Sequence, residues 1–261
     1  TGSRRQAPLL DRSGRLIGNS QVKTVAIIPA RGGSKGIPRK NLIDFCGHPL
    51  LAWSIGAARL CERIGHVFVS TDCEEIAAVG RRYGAGIIQR PADISGDAAT
   101  SESALLQACD AITADGAESP DVVMMLQATS PLRESSELDG ALEKFSAGGY
   151  DSMFSASSPD DFLIWQGTED RLQSVNYDWR NRVRRQEADR DDAIWIETGS
   201  FYLTRCALLR DTGNRMGGRI GIWDVPLWKS FEIDSAEGLE FCQLLMRHHK
   251  LDRQSPEIVS G

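Results

Sequence analysis

The chain has 261 residues, 41% of them hydrophobic and 25% charged, and this composition excludes a fibrous or largely disordered protein. The length supports one sizeable α/β domain, with or without a small extra lobe, and argues against a second full domain. The net charge of -6 argues against nucleic acid as a partner, because non-specific binding to phosphates needs a basic surface.

The sequence predicts neither a membrane span nor a signal peptide. No apolar run approaches the roughly 18 residues that a span needs, and the N-terminus lacks an apolar core. Six cysteines, at positions 46, 61, 73, 109, 206 and 242, show no CxxC pair and no nearby histidine at metal-ligand spacing. They are predicted to be reduced core thiols, and the expected location is the cytoplasm.

The predicted elements begin after an N-terminal arm. Residues 1–21 contain four Arg among scattered Gly, Ser and Pro, so they are expected to be flexible, and residues 22–261 are expected to form a single domain. Periodicity predicts strands at Thr24–Pro29, His66–Ser70, Gly86–Gln89 and Asp121–Leu126, and helices near Pro49–Arg63, Glu74–Tyr83 and Glu102–Thr113. This alternation predicts a Rossmann-like α/β fold, with a mainly parallel sheet and helices on both faces.

The alternation breaks after Tyr150. Short β-like pieces at Phe162–Trp165 and Leu172–Tyr177 precede an Arg-rich stretch, so residues from about 159 to 192 are predicted to form a small β-rich insert. We expect this insert to serve as a lid or as a dimerisation element. A strand-like run at Ala193–Leu203 and a helix near Ser235–His248 return the chain to the core.

A basic, Gly-rich loop follows the first predicted strand. It reads Pro29-Ala-Arg-Gly-Gly-Ser-Lys-Gly-Ile-Pro-Arg-Lys-Asn-Leu42. Glycines allow backbone amides to converge on phosphate oxygens, and the basic side chains suit a triphosphate. The spacing matches neither the dinucleotide motif GxGxxG nor the Walker pattern. A different kind of phosphate loop is therefore predicted, and a basic, solvated surface turn is the alternative.

The loop resembles the N-terminal signature of acylneuraminate cytidylyltransferases, also called CMP-sialic acid synthetases, in which a motif like IxARxxSKxxxxKN grips CTP. The defining positions of that motif are Arg31, Ser34, Lys35, Lys40 and Asn41. Similarity to family elements extends over about residues 23 to 250. These elements are Ser70-Thr-Asp72, Arg90-Pro91 with Asp97 to Ser101, Met125 to Arg133 with Ala128 replacing Pro, Arg184-Arg-Gln186, and Glu197 to Tyr202 with Thr198 replacing Asn.

The resemblance implies an enzyme that transfers CMP from CTP to the anomeric hydroxyl of a nonulosonic, sialic-acid-like sugar and releases pyrophosphate. Its partners would be CTP and an acidic nine-carbon sugar, and the family is typically dimeric. The implied catalytic residues are Arg31, Lys35 and Asp234. The implied nucleotide-binding residues are Arg31, Gly33, Ser34, Lys35, Asn41, Arg90 and Ser101, and the implied sugar-binding residues are Gln127, Thr129, Arg184 and Arg185. For Arg90, Gln127 and Thr129 the alternative is a local role as polar residues that cap loops.

A candidate metal site lies in Phe231-Glu-Ile-Asp234. A strand here would place Glu232 and Asp234 on one face, where two carboxylates can hold Mg²⁺. The family has an Asp-x-Asp pair at the matching place, so Asp234 carries over by resemblance and Glu232 is a longer substitute. The alternative for Asp234 is a capping box with Glu237 before the last helix.

The sequence identifies no side-chain base for the sugar hydroxyl. The histidines at 48, 66, 248 and 249 have no companion pattern, although His48 lies just past the loop. Activation by a metal ion would make such a base unnecessary.

Two further segments bear on which acidic sugar is the acceptor. Arg184 and Arg185 are candidate partners of the sugar carboxylate, with solvated charge as the alternative. Where many sialate enzymes have a His-His-Pro-x-Lys-like stretch, this chain has Ser158-Pro-Asp-Asp-Phe-Leu-Ile-Trp165. Together with Asn176-Tyr-Asp178, this departure resembles members that act on bacterial legionaminic-type sugars.

Two other functions are compatible with the sequence. One is a nucleotidyltransferase of the same fold with another acceptor, such as 3-deoxy-octulosonate, a phosphonate or a sugar phosphate. The other is a noncatalytic nucleotide-binding protein, which the substitution at Glu232 would explain.

Overall fold

The computed structural model describes residues 9–10, 16–17, 23–33, 36–114, 119–159, 162–182 and 194–259. The strands are β1 (Leu9–Leu10), β2 (Leu16–Ile17), β3 (Thr24–Pro29), β4 (Asp44–Phe45), β5 (His48–Pro49), β6 (His66–Thr71), β7 (Gly86–Gln89), β8 (Val122–Leu126), β9 (Ser152–Ser157), β10 (Trp165–Thr168), β11 (Arg171–Ser174), β12 (Ile196–Arg205) and β13 (Ile220–Asp224). The helices are α1 (Leu50–Leu60), α2 (Glu74–Arg82), α3 (Ser101–Ala114), α4 (Ser135–Gly148), α5 (Cys206–Thr212) and α6 (Ala236–His248).

Seven strands form the central sheet, in the order β13-β9-β12-β8-β3-β6-β7. β8, β3, β6 and β7 pair in parallel, and β13 pairs in parallel with β9. β12 alone runs antiparallel to both of its neighbours. The predicted α/β class and the mainly parallel sheet are confirmed.

The sheet is buried on both faces because alternate residues of its strands enter two different cores. On β3, Ala26 and Ile28 pack into the core that also contains residues of α1, α2 and α4, while Val25 and Ile27 face the core built with α3 and α5. The near-continuous apolar run of β3 follows from this arrangement, since a strand covered on both sides has no polar face.

A third apolar cluster packs the last helix, α6, against α1. It joins Phe45 and Trp53 to Leu132, Ile233 and Met246. The indole Nε1 of Trp53 donates a hydrogen bond to the carbonyl of Phe45 at 2.7 Å, so this buried ring has a polar partner. The cluster thereby fixes the segment before α6 relative to the loop after β3.

Several elements differ from the sequence-based expectation. α4, β9 and β13 were not predicted, and the insert strands are shifted to β10 and β11, which form a hairpin. The prediction of a strand at Phe231–Asp234 is wrong: the segment lies outside the sheet, and it buries Ile233 while Phe231 is partly exposed. Burial of one side chain in the third cluster, rather than a sheet ladder, sets its path.

The N-terminal cap of α6 also differs from the prediction. Ser235 is the cap, and its Oγ accepts a hydrogen bond from the Gly238 amide at 3.1 Å. The predicted capping box at Asp234 is therefore wrong by one residue. This shift leaves the Asp234 side chain to face the loop after β3.

Two expectations concern the ends of the chain and the membrane. Within the predicted N-terminal arm the structure describes only β1 and β2, which pair antiparallel, so flexibility of the arm stays a prediction. In the described ranges, no helix has the length and apolar character needed to cross a membrane.

Candidate active site

A cavity of about 390 Å³ opens where β3 and β8 end. Carboxyl ends of parallel strands are the usual ligand-binding edge of open α/β sheets. Six of the predicted site residues line this cavity together: Arg31, Asn41, Ser101, Gln127, Thr129 and Asp234. Lys40, a defining position of the loop motif, lines it as well. The structure thus brings the basic loop, the segment after β8 and the acidic segment before α6 around one space.

The basic loop is fixed by its own backbone contacts. The Gly32 amide donates to Oδ1 of Asp72 at 2.8 Å, and Nδ2 of Asn41 donates to the Arg31 carbonyl at 3.2 Å. Asn41 is buried, and its hydrogen bond to the Arg31 carbonyl stabilises the loop. Gly36 has no room for a side chain, since a Cβ there would lie 2.5 Å from the Asp234 carbonyl oxygen. The glycine permits the close approach of loop and acidic segment.

The two described cations of the cavity are paired. Nη1 of Arg31 donates to the Gly96 carbonyl at 3.0 Å and lies 3.2 Å from Oδ1 of Asp97. Nζ of Lys40 lies 2.6 Å from Oδ1 of Asp234. Both cations therefore have partners within the chain that an anionic ligand would have to replace.

The acidic pair has two different environments. Oε1 of Glu232 accepts a hydrogen bond from Ser130 Oγ at 2.8 Å, while Asp234 is largely exposed beside Lys40. Burial raises the pKa of Glu232 above its ordinary value, and the nearby charge of Asp234 raises it further. Gly199, with φ +67, lies against the Glu232 carboxylate and beside the Gln127 amide, where a side chain would collide.

The buried guanidinium of Arg133 is bonded to Gln127, a residue that lines the cavity. Nη2 of Arg133 donates to the carbonyls of Gln127 at 2.6 Å and of Ser200 at 2.7 Å, and Nη1 donates to Ser54 Oγ at 2.7 Å. These bonds tie β8, β12 and α1 together at one point. Burial lowers the pKa of Arg133 to about 9, which reflects the cost of placing this charge inside the protein. Arg133 ends the family-like segment Met125 to Arg133, and the sequence alone predicts no role for it.

Arg90 is buried and is not among the residues that line the cavity. Its Nη2 donates to the Ser70 carbonyl at 2.7 Å and its Nε to Ser70 Oγ at 3.2 Å. Burial lowers its pKa, while Asp72 acts in the opposite direction. The geometry gives Arg90 a clear task in holding the end of β6, and its role toward a nucleotide stays a prediction.

Other predicted residues are placed as follows. Gly33 is exposed in the loop and has open space around its Cα. His48 does not line the cavity, since its Nδ1 lies 3.0 Å from the Tyr83 hydroxyl. Ser34, Lys35, Arg184 and Arg185 lie outside the described residues, so their predicted roles stay predictions.

The two carboxylates of the predicted metal site have unequal access to the cavity: Asp234 lines it, whereas Glu232 is not among its lining residues. Among the described residues, no group of three or more His, Cys, Asp or Glu side chains is arranged to hold a metal. Mg²⁺ is commonly held by one or two carboxylates together with substrate phosphates and water. Asp234 lines the cavity, so its carboxylate fits this mode of binding in place of its contact with Lys40.

A family model described as cytidylyltransferase matches residues 25–164. The chain belongs to this family. It is 35% identical over 233 residues to an N-acylneuraminate cytidylyltransferase from Oncorhynchus mykiss, covering 86% of this chain and 51% of that protein. It is 30% identical over 227 residues to a pseudaminic acid cytidylyltransferase from Campylobacter jejuni subsp. jejuni, covering 87% of this chain and 97% of that protein. The chain spans about half the length of the former relative and nearly all of the latter.

Solved structures share the fold at low identity. A 4-diphosphocytidyl-2C-methyl-D-erythritol synthase aligns with a TM-score of 0.65 at 13% identity, covering 87% of this chain and 100% of that one. A CMP:2-keto-3-deoxy-manno-octonic acid synthetase, solved in complex with CTP, aligns with a TM-score of 0.61 at 17% identity, covering 87% and 99%. The sequence-based assignment to the cytidylyltransferases is confirmed by the family match, and the architecture by these structures.

Proposed function

We propose that the chain transfers CMP from CTP to the anomeric hydroxyl of a nonulosonic acid and releases pyrophosphate. The observation that carries this proposal is the single cavity lined by Arg31, Lys40, Ser101, Gln127 and Asp234. It combines cations for phosphates with amide and hydroxyl groups for a polar ligand. Relatives named for N-acylneuraminate and pseudaminic acid direct the proposal toward a nine-carbon acid.

The loop after β3 would bind the triphosphate. Arg31 and Lys40 would exchange their present acidic partners for phosphate oxygens, and Lys35 would add a third cation. Charge accumulates on phosphate oxygens during nucleotidyl transfer, so prepositioned cations stabilise the transition state more than the ground state. Ser101 is the first residue of α3 and lines the cavity. The backbone amides at a helix N-terminus add a favourable electric field for an anion.

Asp234 and Glu232 would hold Mg²⁺. The ion would neutralise phosphate charge and polarise the acceptor hydroxyl, which supplies the activation that a side-chain base would otherwise provide. Glu232 stays oriented through Ser130, whose hydroxyl donates to it. The roles of Ser34 and Gly33 would be to present loop groups to the phosphates.

The sugar would lie against the segment after β8. Thr129 Oγ1 lies 3.4 Å from Oε1 of Gln127, so the two side chains form one polar surface at the cavity wall. Arg184 and Arg185 would meet the sugar carboxylate, because paired guanidinium groups match its two oxygens. The departure at residues 158–165 favours a legionaminic-type acid over N-acetylneuraminate.

A homodimer is proposed from the surface of the insert. Trp165, Leu172, Val175 and Trp179 are exposed on or beside the β10–β11 hairpin, and Phe162 is exposed just before it. The rings of Trp165 and Trp179 lie 6.4 Å apart, and a cluster of exposed apolar side chains is typical of an interaction surface. A second copy of the chain, bringing the same surface, is the proposed occupant. A cytoplasmic location is proposed because all six cysteines are free thiols.

The test is pyrophosphate release with every combination of four nucleotides and four acceptors. ATP, GTP, UTP and CTP would each be offered with Mg²⁺ and N-acetylneuraminate, pseudaminic acid, legionaminic acid or 3-deoxy-octulosonate. We expect release that requires CTP and one nine-carbon acid. Release with 3-deoxy-octulosonate alone would assign another acceptor class, and tight CTP binding without release from any pair would indicate a noncatalytic protein.

A further inference from the structure

Lys40 and Asp234 meet across the cavity, although 194 positions separate them in the sequence. Their charged atoms lie 2.6 Å apart, and the Lys40 side chain is 15% exposed while that of Asp234 is 70% exposed. One partner belongs to the phosphate-binding loop and the other to the acidic pair. The candidate phosphate cation is therefore paired with the candidate metal ligand.

Contacts that do not involve the two charges also join the loop to the acidic segment. Gly36 packs directly on the Asp234 carbonyl, and Ile37 packs with Ile233 in the third apolar cluster. The Ile233 amide donates to the Thr129 carbonyl at 2.9 Å. The Asp234 carboxylate should therefore keep its place when the Lys40 charge is removed, and the effect of that charge can be measured by substitution.

An ammonium group and a divalent cation compete for the same carboxylate. Their mutual repulsion at short range opposes simultaneous contact with Asp234. Metal binding alone must therefore displace Lys40 into a cavity with no bound anion. A triphosphate in the same cavity offers Lys40 new oxygen partners, so its arrival removes this cost.

We infer that Lys40 exchanges partners during loading: it neutralises Asp234 in the free protein and moves to the nucleotide phosphates when a divalent cation takes the carboxylate. This inference rests on the proposed function and deepens it. It makes Lys40 a positioning residue that couples the two ligands, since each then favours the other by the same free energy. Binding of metal without nucleotide is disfavoured.

The experiment measures the affinity of the nucleotide-free protein for Mn²⁺ alone, by electron paramagnetic resonance of the free ion. The variants are Lys40→Met and Lys40→Gln, which remove the charge, and Lys40→Arg, which keeps it. The matched control is Arg39→Met. Arg39 immediately precedes Lys40 and forms an ion pair with Glu75, and neither of these two residues lines the cavity.

We expect both neutral variants to bind Mn²⁺ about fivefold more tightly than the unmodified protein, the order expected when one partly exposed ion pair no longer competes. Lys40→Arg and Arg39→Met should keep the unmodified affinity. Asp234→Asn added to Lys40→Met should remove the gain. Thermal unfolding of each variant establishes that it is folded.

Unchanged or weaker Mn²⁺ binding in the neutral variants would overturn the inference, as would an equal gain in Arg39→Met. These outcomes are separate from a failure of the proposed function. A protein that releases no pyrophosphate with any acceptor can still show the Mn²⁺ gain, and an active enzyme can lack it.

Discussion

The cavity and the β10–β11 hairpin differ in where their side chains find partners. At the cavity, Lys40 contacts Asp234, and Arg133 donates to Ser54 and Ser200, so both cations have partners from distant parts of the same chain. On the hairpin, Trp165 is 43% exposed and Leu172 is 53% exposed, and Arg180 stacks over an exposed Trp179 at 4.3 Å. The described cations of the cavity are thus paired within one chain, whereas the insert exposes apolar side chains of the kind that a partner covers.

The largest effect is expected at the acidic pair. Asp234→Asn should lower turnover by about 10³-fold, because one metal-ligand charge is lost where phosphate charge develops. The exposed side chain contributes little to the core, so stability should hold. Steady-state pyrophosphate release is the measurement, with Glu237→Gln on the first turn of α6 as the control. Near-normal turnover in Asp234→Asn would refute its metal role.

The next effect concerns protein stability and depends on the hydrogen bonds of Arg133. Arg133→Met should lower the free energy of unfolding by about 3 kcal/mol, because it leaves the Gln127 and Ser200 carbonyls without this donor. Urea denaturation measures the change. Arg63→Met removes an exposed cation 3.6 Å from Glu143 and should cost less than about 0.5 kcal/mol. Equal losses in the two variants would contradict the bracing role of Arg133.

A smaller effect is expected at the hairpin. Trp165→Ser should weaken self-association about 30-fold, the equivalent of one interface anchor of about 2 kcal/mol. Sedimentation velocity over a concentration series gives the dissociation constant. Leu60→Ser removes a comparably exposed apolar side chain from the end of α1 and should leave association unchanged. An unmodified protein that stays monomeric at micromolar concentration would contradict the proposed dimer.

The smallest effect is on the pH dependence of stability. The pKa of Glu232 is raised in the folded protein, mainly by burial, so the native state holds this proton more tightly than the unfolded chain does. Its contribution to stability is present below the unfolded pKa and is lost as pH rises through the folded pKa. Glu232→Gln should therefore gain stability relative to the unmodified protein between acidic and neutral pH. Parallel urea titrations at several pH values test this, and a constant difference would be contrary to it.

Much of the structure around the cavity could be predicted from the sequence, because its signals are local. The apolar run of β3, the glycines that follow and the periodicity of α1 to α3 each depend on neighbouring residues. The loop motif and the Gln127–Thr129 segment were placed in one site by resemblance, and the structure brings both to one cavity.

The remaining features depend on contacts between distant segments. The Lys40–Asp234 pair and the Arg133 hydrogen bonds join residues that no spacing rule connects. α4 had a local signal that was missed, since Glu134 and Glu137 form a capping box at its start. The path of Phe231–Asp234 was predicted from alternation alone, whereas burial of Ile233 in the third cluster decides it.

The most direct test of the account follows the oxygen of the acceptor. A nine-carbon acid labelled with ¹⁸O at the anomeric hydroxyl would be incubated with CTP, Mg²⁺ and the protein, and the products analysed by mass spectrometry. Attack of that hydroxyl on the α-phosphorus predicts a CMP-sugar that keeps the label and pyrophosphate that carries none. Absence of a CMP-sugar, or a CMP-sugar without the label, would contradict cytidylyl transfer to the sugar hydroxyl.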